Sequence, residues 1–599
     1  MILAALNDYY QRLSEDPDSD ISAPGYSQQQ IGYAIVLFED GRVADVLNLH
    51  DERGKKPVAR SMSVPQPEKR TAGVKANFLW DKTSYVLGVS ASSKRSVQEH
   101  DAFKTRHREA LAGTDDPGLK ALLAFLEAWT PERFHDEPAF VSYGEAMLDA
   151  NMVFILDGER GYLHDRPAAQ AVWARLQGGA AGSQEMCLVT GERAPIARLH
   201  PAIKGVNGAQ SSGASIVSFN LEAFKSYGKD QGANAPVSES AAFAYTTALN
   251  HMLRRDPQNR QRLQIGDTTV VFWAQAPEKS QAEAAEDVFA AFFDPREDDL
   301  RATGQLQAVM EQVRRARPLR ELGAGLEDGT RIFVLGLAPN ASRLSIRFWE
   351  TDTLARFAIR LAQHYDDLEL LPSPWRYLPS PRSLARAAAP LYDGKAKDED
   401  VPPLLAGELT RAILAGTRYP QSLLGALVMR FRSDGVINGT RVALCKAVLA
   451  RNARLNQWNT HKEVFVSLDT RNADSGYLLG RLFSCLENIQ RAALGKQINA
   501  TIRDRYYGAA SATPASVFPM LVRNAQHHLG RLRKDKPGLA VNLERDVGEI
   551  IDLLGPAFPR AMAIEAQGHF AIGYYHQTQA RYTRAEAQDA TEEDQGDTE

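Results

Sequence analysis

A change of hydrophobic period near residue 400 limits the folds open to this chain more than any other feature. After proline clusters at 372–390 and 402–403, apolar residues recur only at helical spacing. The segments lie near 404–416, 420–432, 438–457, 475–507, 514–532, 540–553 and 557–583, separated by Gly, Pro or Ser/Thr. Such segments have no period-2 face to offer a sheet and must bury their apolar stripes helix against helix. An all-α bundle is therefore expected over 401–585.

Upstream the pattern is mixed. Residues 1–13 read as an amphipathic helix and Asp16 to Gln30 as a loop. Tyr33–Phe38 and Val43–Leu49 flank Glu39-Asp-Gly-Arg42, whose Asp-Gly supplies a hairpin turn. Residues 51–77, polar, Lys/Arg-rich and interrupted by Pro57, Pro65 and Pro67, predict a long basic loop. Strand patterns resume at Phe78–Trp80, Tyr85–Leu87 and Met152–Leu156, and helical spacing runs from Pro117 to Trp129 and from Pro167 to about Leu176. Ser238 is the expected cap of a helix burying Ala242, Tyr245, Leu249 and Met252. Thr269–Trp273 reads as a strand, and 276–300 as an acidic linker merging into a helix that buries Val288, Phe289, Phe292 and Phe293. Arg331–Leu337 and Arg343–Trp349 form a second hairpin, in which alternation puts Arg343 and Arg347 on one face, open to a partner. The expected fold class is thus α+β, a mixed α/β N-terminal region followed by an all-α helical bundle. Its divisions are 1–275, a linker helix, hairpin and helix at 276–400, the bundle at 401–585, and an unfolded acidic tail at 586–599.

Composition excludes several classes of function. Cys187, Cys445 and Cys485 stand far apart with no Cys-x-x-Cys spacing, against a zinc ribbon or a disulfide framework, so no metal or other cofactor is expected. The first residues lack a basic stretch before a long apolar run, and no segment reaches about 18 uninterrupted apolar residues; a cytoplasmic protein with no membrane span is expected. The net charge of −4 hides segregation. Leu409 to Lys462 holds nine Lys/Arg against the single Asp434, and Arg481 to Arg545 eleven against four acids, whereas Glu586 to Glu599 holds seven acids and no base. Basic runs are commonly solvated helix faces, yet two long ones balanced by an acidic tail suit a chain with one side facing a polyanion.

The oddest stretch for chemistry lies between Lys204 and Ser212. Gly205 and Gly208, with Asn207, Gln210, Ser211 and Ser212, combine a pliant backbone with amides and hydroxyls able to hold phosphate oxygens without reading bases. A plain Gly/Ser loop has a similar composition. A second candidate is Lys69-Arg-Thr-Ala-Gly-Val-Lys-Ala-Asn77, where Asn77 would present an amide to a base edge while Arg70 and Lys75, with Gly73 between them, hold flanking phosphates. A loop closed by its own turn bonds is the competing reading. Catalysis finds no support: there is no Gly-x-x-x-x-Gly-Lys-Ser/Thr loop, no Gly-x-Ser-x-Gly elbow and no His-Glu-x-x-His pair. No catalytic residue is expected, although a stand-alone metal-dependent nuclease, with carboxylates converging from distant positions, is one alternative. An assembly scaffold without DNA contact is another.

The runs Arg198-Leu-His-Pro-Ala-Ile-Lys-Gly-Val-Asn-Gly-Ala-Gln-Ser-Ser-Gly213, Phe224-Lys-Ser-Tyr-Gly228, Lys69 to Gly88, Leu337 to Trp349 and Tyr477-Leu-Leu-Gly-Arg-Leu-Phe483 occur in order and span most of the chain. Together they resemble the large subunit of the type I-C CRISPR Cascade surveillance complex. The resemblance implies a non-catalytic subunit of a crRNA-loaded complex that reads the protospacer-adjacent motif in double-stranded DNA, promotes R-loop formation and docks a helicase-nuclease. Its implied partners are crRNA, target duplex and displaced strand, and the backbone, crRNA-processing and small subunits. It also implies that the last part of the bundle, from about 466, is small-subunit-like and is made separately by internal translation. Arg503, Arg505, Arg531 and Arg533 would then face the displaced strand. No Met lies between Met429 and Met520, so Val464 or Val466, if encoded by GTG, would serve as the start.

Overall fold

The computed structural model describes residues 1–16, 19–51, 57–68, 70, 73–178, 184–256, 258–293, 300–323, 325–456, 465–495 and 498–596. The chain forms two compact units, Met1–Ile203 with Ser215–His251 and Lys204–Ala214 with Met252–Glu599.

In the first unit a four-stranded sheet has the order Val43–Asn48, Tyr33–Leu37, Asn151–Leu156, Asp81–Lys82. Tyr33–Leu37 pairs antiparallel with the first of these and parallel with Asn151–Leu156. A parallel neighbour requires a long crossover, here carrying the helices Ser96–Ala110 and Pro117–Ala128. Phe103, Leu122 and Phe125 of those helices share a core with Ile35, Leu37 and Phe154. The opposite face, Ala34, Val36, Val153 and Ile155, is closed by Ile31, Val64 and Trp80. With both faces covered, Tyr33–Leu37 is buried at every position, which explains its unbroken apolar run.

Ile31 and Val64 belong to elements expected to be loops. Tyr26–Ile31 and Val58–Pro65 are strands paired antiparallel from Tyr26 with Pro65 to Ile31 with Arg60. Both are largely polar, and what stabilises them is a partner some thirty residues away, invisible to a local window. Phe78–Trp80, conversely, forms no strand, since Leu79 has φ +63°, and Thr83–Val86 makes one helical turn. The cap at Ser238 forms as expected: its Oγ accepts from Ala241 N at 3.2 Å at the start of the helix Glu239–Met252.

The second unit begins with an antiparallel sheet ordered Arg262–Ile265, Thr268–Gln275, Arg331–Asn340, Arg343–Thr353. Thr268–Gln275 lies beside Arg331–Asn340, so its pairing carries it into this unit rather than leaving it with residues 1–275. One sheet face, with Val270, Phe272, Ile332, Val334 and Phe348, packs on Val288, Phe289, Phe292 and Phe293 of the helix Lys279–Phe293 and on Phe357 and Leu361 of Leu354–Leu368.

The same core continues through the helices Pro403–Ala415, Gln421–Ser433, Gly439–Leu455, Ser475–Leu494, Ile502–Ala512, Pro514–Asp535, Pro537–Leu553 and Ile564–Gly596. The helix expected at 475–507 is two: one ends at Gly495 (φ +68°), and the other starts with a capping box in which Thr501 and Asp504 exchange side-chain and backbone bonds. The acidic tail expected to be unfolded continues the last helix to Gly596, because extending a packed helix avoids the cost of nucleation. Among the described residues no helix is long and apolar enough to cross a membrane.

Candidate nucleic-acid interface

The loop Lys204–Ala214 is held by its apolar flanks and by backbone bonds, which leaves its polar side chains outward. Ile203, Val206 and Ala214 are buried. Asn207 N donates to Thr269 Oγ1 at 3.1 Å, Thr269 Oγ1 donates to Gln264 Oε1 at 2.8 Å, and Arg262 donates to Gly205 O at 3.1 Å. Gly205, at φ +93°, leaves no room for a side chain, since a Cβ there would stand 2.6 Å from Leu253 O. Fixed in this way, the loop carries Lys204, Asn207, Gln210, Ser211 and Ser212 all exposed, as backbone-phosphate contacts require. Ile216–Phe219, the apolar run after it, is irregular.

Arg343 and Arg347 reach the same end of this sheet on the other face. Thr269, which the loop engages, and Thr268 point to opposite faces, and a Cβ on Gly407 of the helix Pro403–Ala415 would meet both Thr268 Oγ1, at 3.2 Å, and Arg347 Cβ, at 3.7 Å. The face expected to be open is therefore covered at Arg347. A register shift at Gly336/Leu337 makes Arg347 the extra residue of a bulge, and its guanidinium pairs with Asp267 at 2.5 Å, both half-buried. Arg343, half-buried, pairs across the turn with Asn340.

In the first unit, the residues assigned to motif reading divide. Arg70 bridges Asp81 at 2.5 Å, donates from Nε to Lys75 O at 2.8 Å and lies 4.0 Å above the Tyr85 ring. Asp81 is 1% exposed and also accepts from Asn77 N at 2.8 Å. Burial pushes the Asp81 carboxyl above the usual carboxylate range, and Arg70 and the backbone N–H groups of Asn77 and Lys82 pull against it. Asn77 is 2% exposed, its carboxamide oxygen taken by Glu68 N at 3.0 Å. The geometry thus gives Arg70 and Asn77 to closing the loop, which speaks against Asn77 meeting a base edge. Gly73 and Lys75 stay exposed. Lys69, Thr71 and Ala72 lie outside the described residues.

The four arginines expected on a strand-facing surface also divide. Nη2 of Arg533 donates to both oxygens of Glu544, each at 2.6 Å, and half-buried Arg503 lies 3.6 Å from Asp504. Arg505 and Arg531 are exposed and make no ion pair among the described residues. Sequence reasoning missed the groups that hold these sites in place, Asp81, Tyr85, Thr269 and Asp267, because each acts on a residue remote in sequence or on a backbone atom. It also gave no role to Tyr227, which is fully exposed at φ +54° on a loop braced by Asn234 and by Lys225 between Glu222 and Asp230. Among the described residues there is no group of three or more His, Cys, Asp or Glu able to hold a metal ion.

No curated protein matches the chain. The family model described as CRISPR-associated protein (Cas_Csd1) matches residues 6–582, nearly the whole length, and the chain belongs to this CRISPR-associated family.

Proposed function

We propose that this protein is the non-catalytic large subunit of a crRNA-guided type I-C Cascade complex. In this reading it recognises the protospacer-adjacent motif in double-stranded DNA, promotes R-loop formation and docks the helicase-nuclease, working in the cytoplasm with crRNA and the other Cascade subunits. Guide pairing reads most of the target, so such a subunit needs few base contacts and many backbone contacts. The observation that carries the reading is the loop Lys204–Ser212, five exposed polar side chains on a backbone pinned to a sheet, in a chain of the CRISPR-associated family. The exposed Lys75 and Gly73 are the positions proposed to approach the motif duplex.

Co-expression with the neighbouring operon products tests this reading. A complex that carries crRNA, and that loses target-duplex binding when this chain is omitted, is the expected result. Purification without RNA or partners, or DNA cleavage by the chain alone with Mg²⁺ or Mn²⁺, overturns it.

A further inference from the structure

The helices Ser475–Leu494, Ile502–Ala512 and Pro514–Asp535 enclose a cleft of about 210 Å³. We propose that it binds one unpaired nucleobase of a single strand, with the attached phosphates held by Arg505 and Arg531. The proposal rests on reading this part of the chain as a single-strand binder and adds to it a base-sized subsite.

Each helix contributes one stripe. Leu486 and Gln490, Ile502 with Arg505 and Tyr506, and Leu521 with Asn524, Ala525 and His528 repeat at three- and four-residue spacing, so each set projects into the same space. The Tyr506 ring gives one flat wall for a heterocycle to stack on, with Leu486 and Leu521 almost wholly buried behind an otherwise polar lining. The volume falls below the ~300–1,000 Å³ of sites for drug-sized ligands, which suits one ring system rather than two stacked bases.

The polar groups fit a base edge better than a bare anion. Gln490 Oε1 accepts from Ile502 N at 2.8 Å, which orients the amide and leaves its NH₂ as a donor. Asn524 offers a donor and an acceptor. His528 is held below the usual histidine range by burial first and by its neighbour Arg531, so its neutral ring also offers one of each. Arg505 stands in the lining and Arg531 one turn beyond His528; among the described residues no acid lines the cleft, and Glu487 and Asp504 behind it are bonded to Thr501.

The test uses the full-length chain and single strands of about 16 nucleotides, in DNA and RNA, intact or with abasic residues throughout. The expected result is intact DNA binding about tenfold tighter than its abasic counterpart at equal salt. Asn524→Phe, at an exposed position on the cleft, should bring both strands to the abasic level with the salt slope unchanged, whereas Arg505→Ala should lower that slope by about 0.7, the value for one phosphate contact on a single strand. Equal binding of intact and abasic strands, or a base preference that survives in Asn524→Phe, overturns the pocket and leaves the single-strand reading standing. Absence of any salt-dependent binding to either strand overturns both. A base preference confined to RNA keeps the pocket and overturns its assignment to the displaced strand. If Asn524→Phe fails to fold, Asn524→Leu, a smaller filling of the same cleft at an exposed position, carries the same two outcomes.

Discussion

The backbone N–H of Leu79 donates to Nε2 of His107 at 2.8 Å, and Nδ1 of the same ring lies 2.8 Å from Phe103 O. The neutral imidazole therefore accepts on one side and donates on the other, and it pins Leu79, at φ +63°, to the helix Ser96–Ala110. This contact fixes the exit of the loop that carries Gly73 and Lys75.

Burial holds His107 down to about 3 from a usual 6.5. In the unfolded chain the ring gains a proton below 6.5, whereas in the folded protein it stays neutral to about 3. Stability from this group is therefore complete above 6.5 and declines as the pH falls from there toward 3, by about 1.4 kcal/mol per unit. Other buried histidines, His100, His364 and His576 among them, add to the wild-type slope, so urea unfolding at stepped pH should show a difference of about that size between the wild type and His107→Gln, which keeps an acceptor and does not titrate. Parallel slopes would remove His107 as the cause.

Arg70→Ala should strip a buried carboxylate of its cation and destabilise the first unit by about 3 kcal/mol, as when one partner of a buried pair is removed. Asn77→Ala, which leaves the Glu68 N–H without its acceptor, should cost about 1–3 kcal/mol. Lys75→Ala, at an exposed side chain, should stay within about 0.5 kcal/mol. Thermal unfolding separates the three. Target-duplex binding should then fall for Lys75→Ala although its stability does not change; unaltered binding would take Lys75 out of the motif contact.

For the second-unit loop, Lys204→Ala with Asn207→Ala should weaken binding to all target sequences alike and lower the salt slope by about one, the single cation removed. The Asn207 bond to Thr269 is made by the backbone, so the fold should persist. An assembled double mutant whose binding and slope match the wild type would count against backbone contact here.

Gly480→Ala would place a Cβ 2.0 Å from Phe570 O, where the helices Ser475–Leu494 and Ile564–Gly596 touch backbone to backbone, and should unfold or grossly destabilise the bundle. A Cβ at Gly530 meets nothing within 4 Å, so Gly530→Ala should stabilise its helix by about 1 kcal/mol. Denaturant midpoints of the two variants should move in opposite directions.

Expression of the intact gene with a C-terminal tag should yield a second, shorter product starting near Val464 or Val466, the first of which lies outside the described residues. Silent recoding of both codons should abolish it. A product that persists, or none at all, refutes the start.

The sequence by itself determined the order of structural types and most of the bundle. A helix closes its hydrogen bonds within four residues, so the helix at Gln421–Ser433, the cap at Ser238 and the buried side of Lys279–Phe293 are written in local spacing. The break at Gly495 and the capping box Thr501–Asp504 were equally local, although the continuous apolar period across them hid the signal. Polar strands such as Tyr26–Ile31 exist only because Val58–Pro65 lies alongside, and that pairing has no local signature. The chemistry followed the same division. Residue type alone marked Lys204, Asn207, Gln210, Ser211 and Ser212, which are exposed, whereas Asn77 and Arg347 were placed by contacts with Glu68, Asp81 and Asp267 that close only on folding. Whether an amide or a guanidinium faces solvent or a buried partner depends on how distant segments pack, and that the tertiary structure alone decided.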